Sequence, residues 1–228
     1  IGKSIFALQL CFSLATGTPF LGFPTKRTRV GYLWYEGENQ TLLERYDKMR
    51  QNFPSPGDWL HIEKAPTGAQ LFRSEVWLRS LITNGSTEFL VVDPLKFFVG
   101  SHYTKTDIAQ QFVLTFLNML DELKCGSLLT HHVRKPGKDD RYLLRPDDMY
   151  ELKGASDIVD AATTVMMMER KEQNRDRSTG RFLPRETDAF TIYFSKTRNS
   201  VEVIEPMHIR RDRDKLLYVP RDYNPDID

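Results

Sequence analysis

Residues 2–15 read GKSIFALQLCFSLA, in which a glycine, a lysine and a serine stand directly before an apolar run. The run is apolar on nearly every side, which predicts a helix buried against a sheet. Gly17 and Pro19 follow it, and both residue types commonly end helices. A glycine, a lysine and a hydroxyl residue before a helix match the end of the phosphate-binding loop pattern GxxxxGK(S/T). The stretch therefore predicts a phosphate site at the N-terminus of the first helix.

The chemistry of phosphate binding requires these residue types. Gly2 would let backbone N–H groups approach phosphate oxygens, and Lys3 would pair with the β- and γ-phosphate charge. The Ser4 hydroxyl would ligate Mg²⁺, and the helix N-terminus, which includes Ile5, favours an anion. We therefore predict ATP and Mg²⁺ as cofactors, bound by Gly2, Lys3, Ser4 and Ile5. A chance Gly-Lys-Ser turn is the alternative as long as the tripeptide is taken alone.

Acidic residues follow two of the predicted strands. Asp93 ends the most apolar strand, EFLVVDP at residues 88–94, where a Walker B acid would hold the Mg²⁺ shell. Glu36 and Glu38 follow the strand predicted at residues 29–35, and a carboxylate there could act as general base on the attacking water. A loop-capping aspartate and two surface glutamates are the alternatives. The sequence thus combines a predicted phosphate site with acids at the ends of two predicted strands, and this combination favours an ATPase.

Strand and helix patterns alternate along most of the chain, which favours one α/β domain with a largely parallel, doubly wound sheet. The predicted elements lie at residues 5–15, 29–35, 42–53, 59–62, 71–82, 88–94, 108–123, 127–130 and 160–168. Residues 190–194 and 201–204 are predicted to form a final hairpin, and residues 133–153 and 173–185 to form charged loops. We expect an ATPase domain over residues 1–206. The charged, proline-containing residues 207–228 are expected to form a tail without a core of its own.

Composition limits the function classes. Hydrophobic residues make up 40% of the 228 residues and charged residues 28%, which argues against disorder. The net charge of +1 excludes a uniformly basic surface, so any nucleic-acid contact must come from local loops. Cys11 and Cys125 lie in apolar runs, which predicts buried, reduced thiols.

The first apolar run also bears on location. It is too short to span a bilayer and lacks the basic lead-in of a signal peptide. We therefore expect a soluble, cytoplasmic protein with no membrane partner. Because the chain begins at Ile1 inside a motif, the start of the phosphate loop is expected to lie upstream.

The ordered motifs resemble the RecA-like ATPases of the RepA and DnaB-type hexameric helicase group, and most closely the RepA-like branch. The resemblance covers residues 1–206. It is carried by GKS at 2–4, GTPFLGFP at 17–24, VGYLWYEGE at 30–38, LVVDPL at 90–95, LLTHHVRK at 128–135, KGASDIVDAATTVMM at 153–167 and SKTRNS at 195–200. The first and fourth of these occur in many phosphate-loop folds, whereas the ordered set is much more specific.

The resemblance implies roles for the acids and histidines. Glu36 would be the catalytic glutamate and Asp93 the Walker B acid. The segment reads EGE where this branch would have an EDxxE pattern, which leaves the choice between Glu36 and Glu38 open. His131 or His132 would sense the γ-phosphate, and one of the pair could instead be a core histidine, since side chains alternate along a strand.

The resemblance also implies a partner copy and DNA. Lys196 and Arg198 would reach the ATP of a neighbouring subunit in a ring, where an arginine spreads charge over the transferring phosphoryl group. A solvated strand face is the alternative for this pair. Single-stranded DNA would contact loops in the channel, through residues that include Lys96, Lys105, Arg134 and Lys135.

Three functions are compatible with these residues. The first is an oligomeric helicase or translocase in replication, and the second is a nucleotide-dependent assembly or regulatory switch without unwinding. A small-molecule phosphate-loop kinase is disfavoured, because the arginine beyond the Walker B strand lies on a KxR hairpin rather than in a lid.

Overall fold

The computed structural model describes residues 2–35, 37–64, 71–96, 106–132, 156–170, 188–198 and 204–222. The helices are α1 (Lys3–Thr16), α2 (Asn39–Arg50), α3 (Leu71–Asn84), α4 (Thr106–Glu122) and α5 (Ser156–Ala161), with a 3₁₀ turn at Gly57–Trp59. The strands are β1 (Val30–Trp34), β2 (Leu60–Lys64), β3 (Phe89–Asp93), β4 (Gly126–Leu129), β5 (Thr164–Arg170), β6 (Ala189–Thr197), β7 (Met207–Asp212) and β8 (Leu217–Pro220). The charged loops predicted at 133–153 and 173–185 lie outside the described residues.

The first four strands form a parallel sheet in the order β2-β1-β3-β4. Every residue of β1 is buried, as expected of a strand covered on both faces. Parallel pairing brings the carboxyl ends of these strands to one edge, where Trp34 of β1 is the register partner of Asp93 of β3. This edge therefore collects the described residues that end or follow these strands, including Asp93.

Alternation along the strands divides the core between the two faces of the sheet. Tyr32, Trp34 and Val91 face α1 and α2, whereas Leu33 and Val92 belong to a second cluster with α3 and α4. Helix α1 lies in the first of these layers, and its nearly continuous apolar surface matches its burial. The predicted α/β class with a parallel sheet flanked by helices is confirmed.

Strands β5 to β8 form a second, antiparallel sheet in the order of the chain. The predicted partner of residues 190–194 is wrong, because β6 pairs with β7, with Phe190 opposite Ile209. Ile204 lies outside the strands, and residues 201–203 are outside the described part of the chain. The C-terminal antiparallel arrangement is confirmed, but it has more strands than the predicted hairpin.

The residues expected to form a tail without a core also differ from the prediction. Ile209 is 0% exposed and Tyr218 is 1% exposed, and both pack in the layer around α1. The charges that suggested a tail are partly paired, since Arg211 and Arg213 both donate to the Asp188 carboxylate. Burial would raise the pKa of Asp188, but these guanidiniums hold it below its ordinary value.

The two cysteines are free and buried, as predicted. Burial, and then the charge of Asp93, raise the pKa of Cys11 far above its ordinary value. Burial raises the pKa of Cys125 to about 11, so both thiols are inert at neutral pH. In the described ranges, no helix has the length and apolarity needed to cross a bilayer.

Candidate active site

The site begins at the N-terminus of α1. Gly2 caps this helix with a φ of 96°, a left-handed conformation that glycine adopts without a steric penalty. Its carbonyl accepts the Phe6 N–H at 3.1 Å. The first turn of α1 contains no acidic residue, so nothing on this turn competes with an anion for the helix N-terminus. The local backbone is therefore suited to phosphate.

The end of β4 meets this helix start. The Lys3 ammonium lies 3.5 Å from Nδ1 of His132. Because an ammonium can only donate, Nδ1 of His132 is the acceptor in this contact. Lys3 is thereby held beside the histidine pair, in the place where it would meet phosphate charge.

His131 takes a different position from its neighbour. Its Nδ1 lies 2.7 Å from the His132 carbonyl, which requires that Nδ1 carry the proton. Burial lowers the pKa of His131; the hydrogen bond to the His132 carbonyl opposes this shift, and the positive charge of Lys3 adds to it. His131 is thus a neutral imidazole at physiological pH, half-buried beside the lysine.

Asp93 is the buried acid of the site, at 2% exposure. The Tyr32 hydroxyl donates to its Oδ2 at 2.7 Å, and the Thr130 hydroxyl donates to its Oδ1. Burial, and then the Asp93 charge, raise the pKa of Tyr32 well above its ordinary value, so this hydroxyl keeps its proton. Asp93 is therefore fixed on the α1 face of the sheet by donors from β1 and from the end of β4.

The few oxygen ligands that the described residues offer suit a Mg²⁺ ion that is held mainly by phosphate and water. Mg²⁺ keeps several waters and typically takes one or two carboxylates plus substrate phosphates. No group of three or more metal-binding side chains occurs among the described residues, so they form no complete protein cage. Each Asp93 oxygen has a second lone pair beyond its hydroxyl contact. Ser4, half-buried in the first turn of α1, and Asp93 are the described residues that could take part.

The remaining predicted residues divide into two groups. Glu36, Lys105, Arg134 and Lys135 lie outside the described residues. Glu38 is exposed and forms the N-cap of α2, while Lys96 is exposed two residues after cis-Pro94. The choice between Glu36 and Glu38 as base, and the DNA contacts, stay predictions.

Lys196 and Arg198 lie at the end of β6 and contact α5 of the same chain. The Lys196 ammonium donates to the carbonyls of Val159 at 2.7 Å and Asp160 at 2.8 Å. The Arg198 guanidinium donates to the Asp160 carbonyl as well. Cations stabilise the last carbonyls of a helix, so in a single chain this pair caps α5.

Two residues of the site were not predicted from the sequence. Tyr32 and Thr130 contact Asp93 through hydroxyls. The sequence indicates them only by position. Tyr32 is two residues before Trp34 and so lies on the same face of the strand, and Thr130 directly precedes the histidine pair. Whether these residues contact Asp93 depends on the register of the strands, which the sequence does not reveal.

An apolar cavity of about 320 Å³ adjoins the lysine. It lies between β4 and β5, and its lining includes Lys3, Phe6, His131, Met167 and Ile192. Among the described strands, β4 pairs only with β3, and β5 pairs only with β6. The lysine and histidine of the site therefore border a space between the two sheets.

The AAA domain family matches residues 1–138, which include α1, the parallel sheet and the histidine pair. The chain belongs to the AAA domain family. This AAA domain chain is a RecA-like P-loop ATPase, which confirms the coarser part of the resemblance. It is similar in fold to a KaiC-like protein from the hyperthermophilic archaeon Pyrococcus horikoshii OT3, with a TM-score of 0.61 and 12% identity. The similarity covers 97% of this AAA domain chain and 84% of the archaeal chain. The search of curated proteins found no match.

Proposed function

We propose that this chain is the ATP-hydrolysing motor of an oligomeric helicase or translocase that acts on single-stranded DNA. The observation that carries the ATPase part is the meeting of Lys3, His132 and the α1 N-terminus at one edge of the sheet. The ordered motifs that resemble the RepA-like branch support the motor part.

Mg-ATP, when bound, supplies the phosphoryl group that is transferred to water. Gly2, Lys3, Ser4 and Ile5 would bind its phosphates, with Ser4 and Asp93 toward Mg²⁺. Lys3 would exchange the imidazole of His132 for phosphate oxygens, because an anion is a stronger partner for an ammonium than a neutral ring nitrogen. His132 Nδ1 would then lose its contact with Lys3 and could bind another group. The hydrogen bond between Lys3 and His132 would therefore be present only when the phosphate site is empty.

Water must be activated by a base near the γ-phosphate. Glu36 is proposed for this role on the resemblance, with Glu38 as the second candidate. Lys196 and Arg198 are proposed to complete the site of a neighbouring copy, where they would stabilise charge on the transferring phosphoryl group. The site would then be complete only in an oligomer, and assembly would be required for turnover but not for ATP binding.

The motor function is tested by ATP turnover with and without single-stranded DNA, combined with strand displacement from a partial duplex. We expect DNA to stimulate turnover and ATP to drive displacement. Lys3→Ala is the matched control, because it removes the phosphate contact and should abolish both activities. ATP turnover that is indifferent to DNA, with no displacement, would overturn the motor and leave the assembly or regulatory switch. Absence of ATP binding by the unmodified chain would overturn the nucleotide site itself.

A further inference from the structure

The last strand of the antiparallel sheet touches the phosphate loop. The Tyr218 hydroxyl of β8 donates to the Gly2 carbonyl at 3.3 Å, across 216 positions of sequence. The same carbonyl accepts the Phe6 N–H of α1. The approach is close enough that a Cβ on Gly2 would collide with the Tyr218 hydroxyl. Gly2 is therefore required by its φ and by this contact.

Gln9 fixes the backbone of Tyr218 against α1. Its side-chain Nε2 donates to the Tyr218 carbonyl at 2.9 Å, and the Tyr218 N–H donates to Gln9 Oε1 at 2.7 Å. Gln9 is a polar residue at 5% exposure on a largely apolar helix, and this pair of bonds accounts for its burial. The amide thus binds β8 as a neighbouring strand would.

Aromatic packing fixes the ring. The centroid of Tyr218 lies 5.2 Å from that of Phe190 in an edge-to-face arrangement and 6.3 Å from that of Phe6. Burial raises the pKa of Tyr218 to about 12, so its hydroxyl is a proton donor at neutral pH. Backbone, ring and hydroxyl are therefore all held in one orientation.

The Gly2 carbonyl belongs to the same planar peptide unit as the Lys3 N–H. A donor that holds this carbonyl also sets the direction of that N–H, which points the opposite way. We propose that Tyr218 is a positioning residue of the phosphate site, with its hydroxyl holding the Gly2–Lys3 peptide for the anion and Gln9 holding Tyr218. This inference rests on the proposed nucleotide site and adds a residue from outside the AAA domain match.

The test is Tyr218→Phe in the full chain, which removes the hydroxyl and keeps the ring. We expect the Kd for Mg-ATP to rise roughly three- to tenfold, the effect of losing one neutral hydrogen bond. Turnover at saturating ATP should change little, since a positioning contact of this kind acts on binding. Tyr193→Phe is the matched control, because the Tyr193 hydroxyl also donates within the same sheet, to Glu169 at 3.1 Å.

A double-mutant cycle separates positioning from general stability. Gln9→Met should also raise the Kd for Mg-ATP, and the combined variant should raise it less than the product of the two single effects. A Tyr218→Phe variant that binds Mg-ATP as tightly as the unmodified chain would overturn the inference. So would an equal rise in the Tyr193→Phe control. If the unmodified chain fails to bind Mg-ATP, the proposed function fails instead.

Discussion

At the scale of single residues, Asp93 could be predicted from the sequence, whereas its hydrogen-bond partners could not. An acid at the end of an apolar strand could be predicted, because the apolar run and the acid that ends it are neighbours in the sequence. Tyr32 and Thr130 could not, since their contacts depend on how three strands align. A carboxylate at 2% exposure needs such donors, because burial of a charge is costly unless it is hydrogen-bonded.

Thr130→Val tests this dependence on hydroxyl donors. The replacement keeps the side-chain shape and removes the donor to Asp93 Oδ1. We expect the free energy of unfolding to fall by about 1.5–3 kcal/mol, the range for a hydrogen bond to a charged group. Urea denaturation measures the change, and the Mg²⁺ concentration needed for half-maximal turnover should rise. Thr164→Val, at an exposed strand position, is the control. Equal stability of the two variants would contradict the role assigned to Thr130.

At the scale of elements, periodicity and apolar runs predicted the parallel strands and α1 to α4 within a few residues. The short helix α5 was missed, because its six residues give too few turns for a periodic signal. Strands β7 and β8 were missed for another reason. Half of the residues of β7 are charged, and β8 is only four residues long and follows a charged turn at residues 213–215. Neither strand therefore gives a clear alternating pattern, and their apolar residues can be recognised as core only from their packing against α1 and β6.

Ile209→Ala tests whether β7 belongs to the core. Ile209 is 0% exposed and pairs with Phe190 across the sheet, so truncation should leave a cavity and cost about 2–5 kcal/mol. Ile204→Ala is the matched control, because Ile204 is 41% exposed and lies before the strand. Thermal and urea unfolding should show a large loss for the first variant and almost none for the second. Similar, small losses in both would restore the expectation of a tail.

At the scale of the whole molecule, the fold could be predicted and the complete site could not. The phosphate loop, Asp93 and the histidine pair lie on strand and helix ends, which follow from local sequence. Lys196 and Arg198 instead contact α5 of their own chain, and their proposed role needs a second copy. A role in the site of another subunit cannot be inferred from local sequence patterns, because these patterns do not show how copies of the chain assemble.

Mixed oligomers test the role of Arg198 in a neighbouring site. Arg198→Ala alone should abolish turnover and leave ATP binding nearly intact, and Lys3→Ala alone should abolish binding. Mixing the two inactive variants should recover part of the turnover, because a Lys3→Ala subunit can supply Arg198 to a partner with an intact phosphate loop. The expected signal is a maximum of activity at intermediate mixing ratios. Mixtures that stay inactive, although the copies assemble, would place Arg198 in its own subunit's site.

Because Trp34 lies beside Asp93 in the sheet, its fluorescence should depend on what is bound at the site. Trp34 is 2% exposed and is one of three tryptophans in the chain, with Trp59 and Trp77. Indole emission responds to nearby charge, and Trp34 lies on the same face of the sheet as the Asp93 carboxylate. Replacing Trp59 and Trp77 by phenylalanine would leave Trp34 as the only tryptophan, beside the site. Arrival of a nucleotide could then be followed in the unlabelled protein by its intrinsic fluorescence.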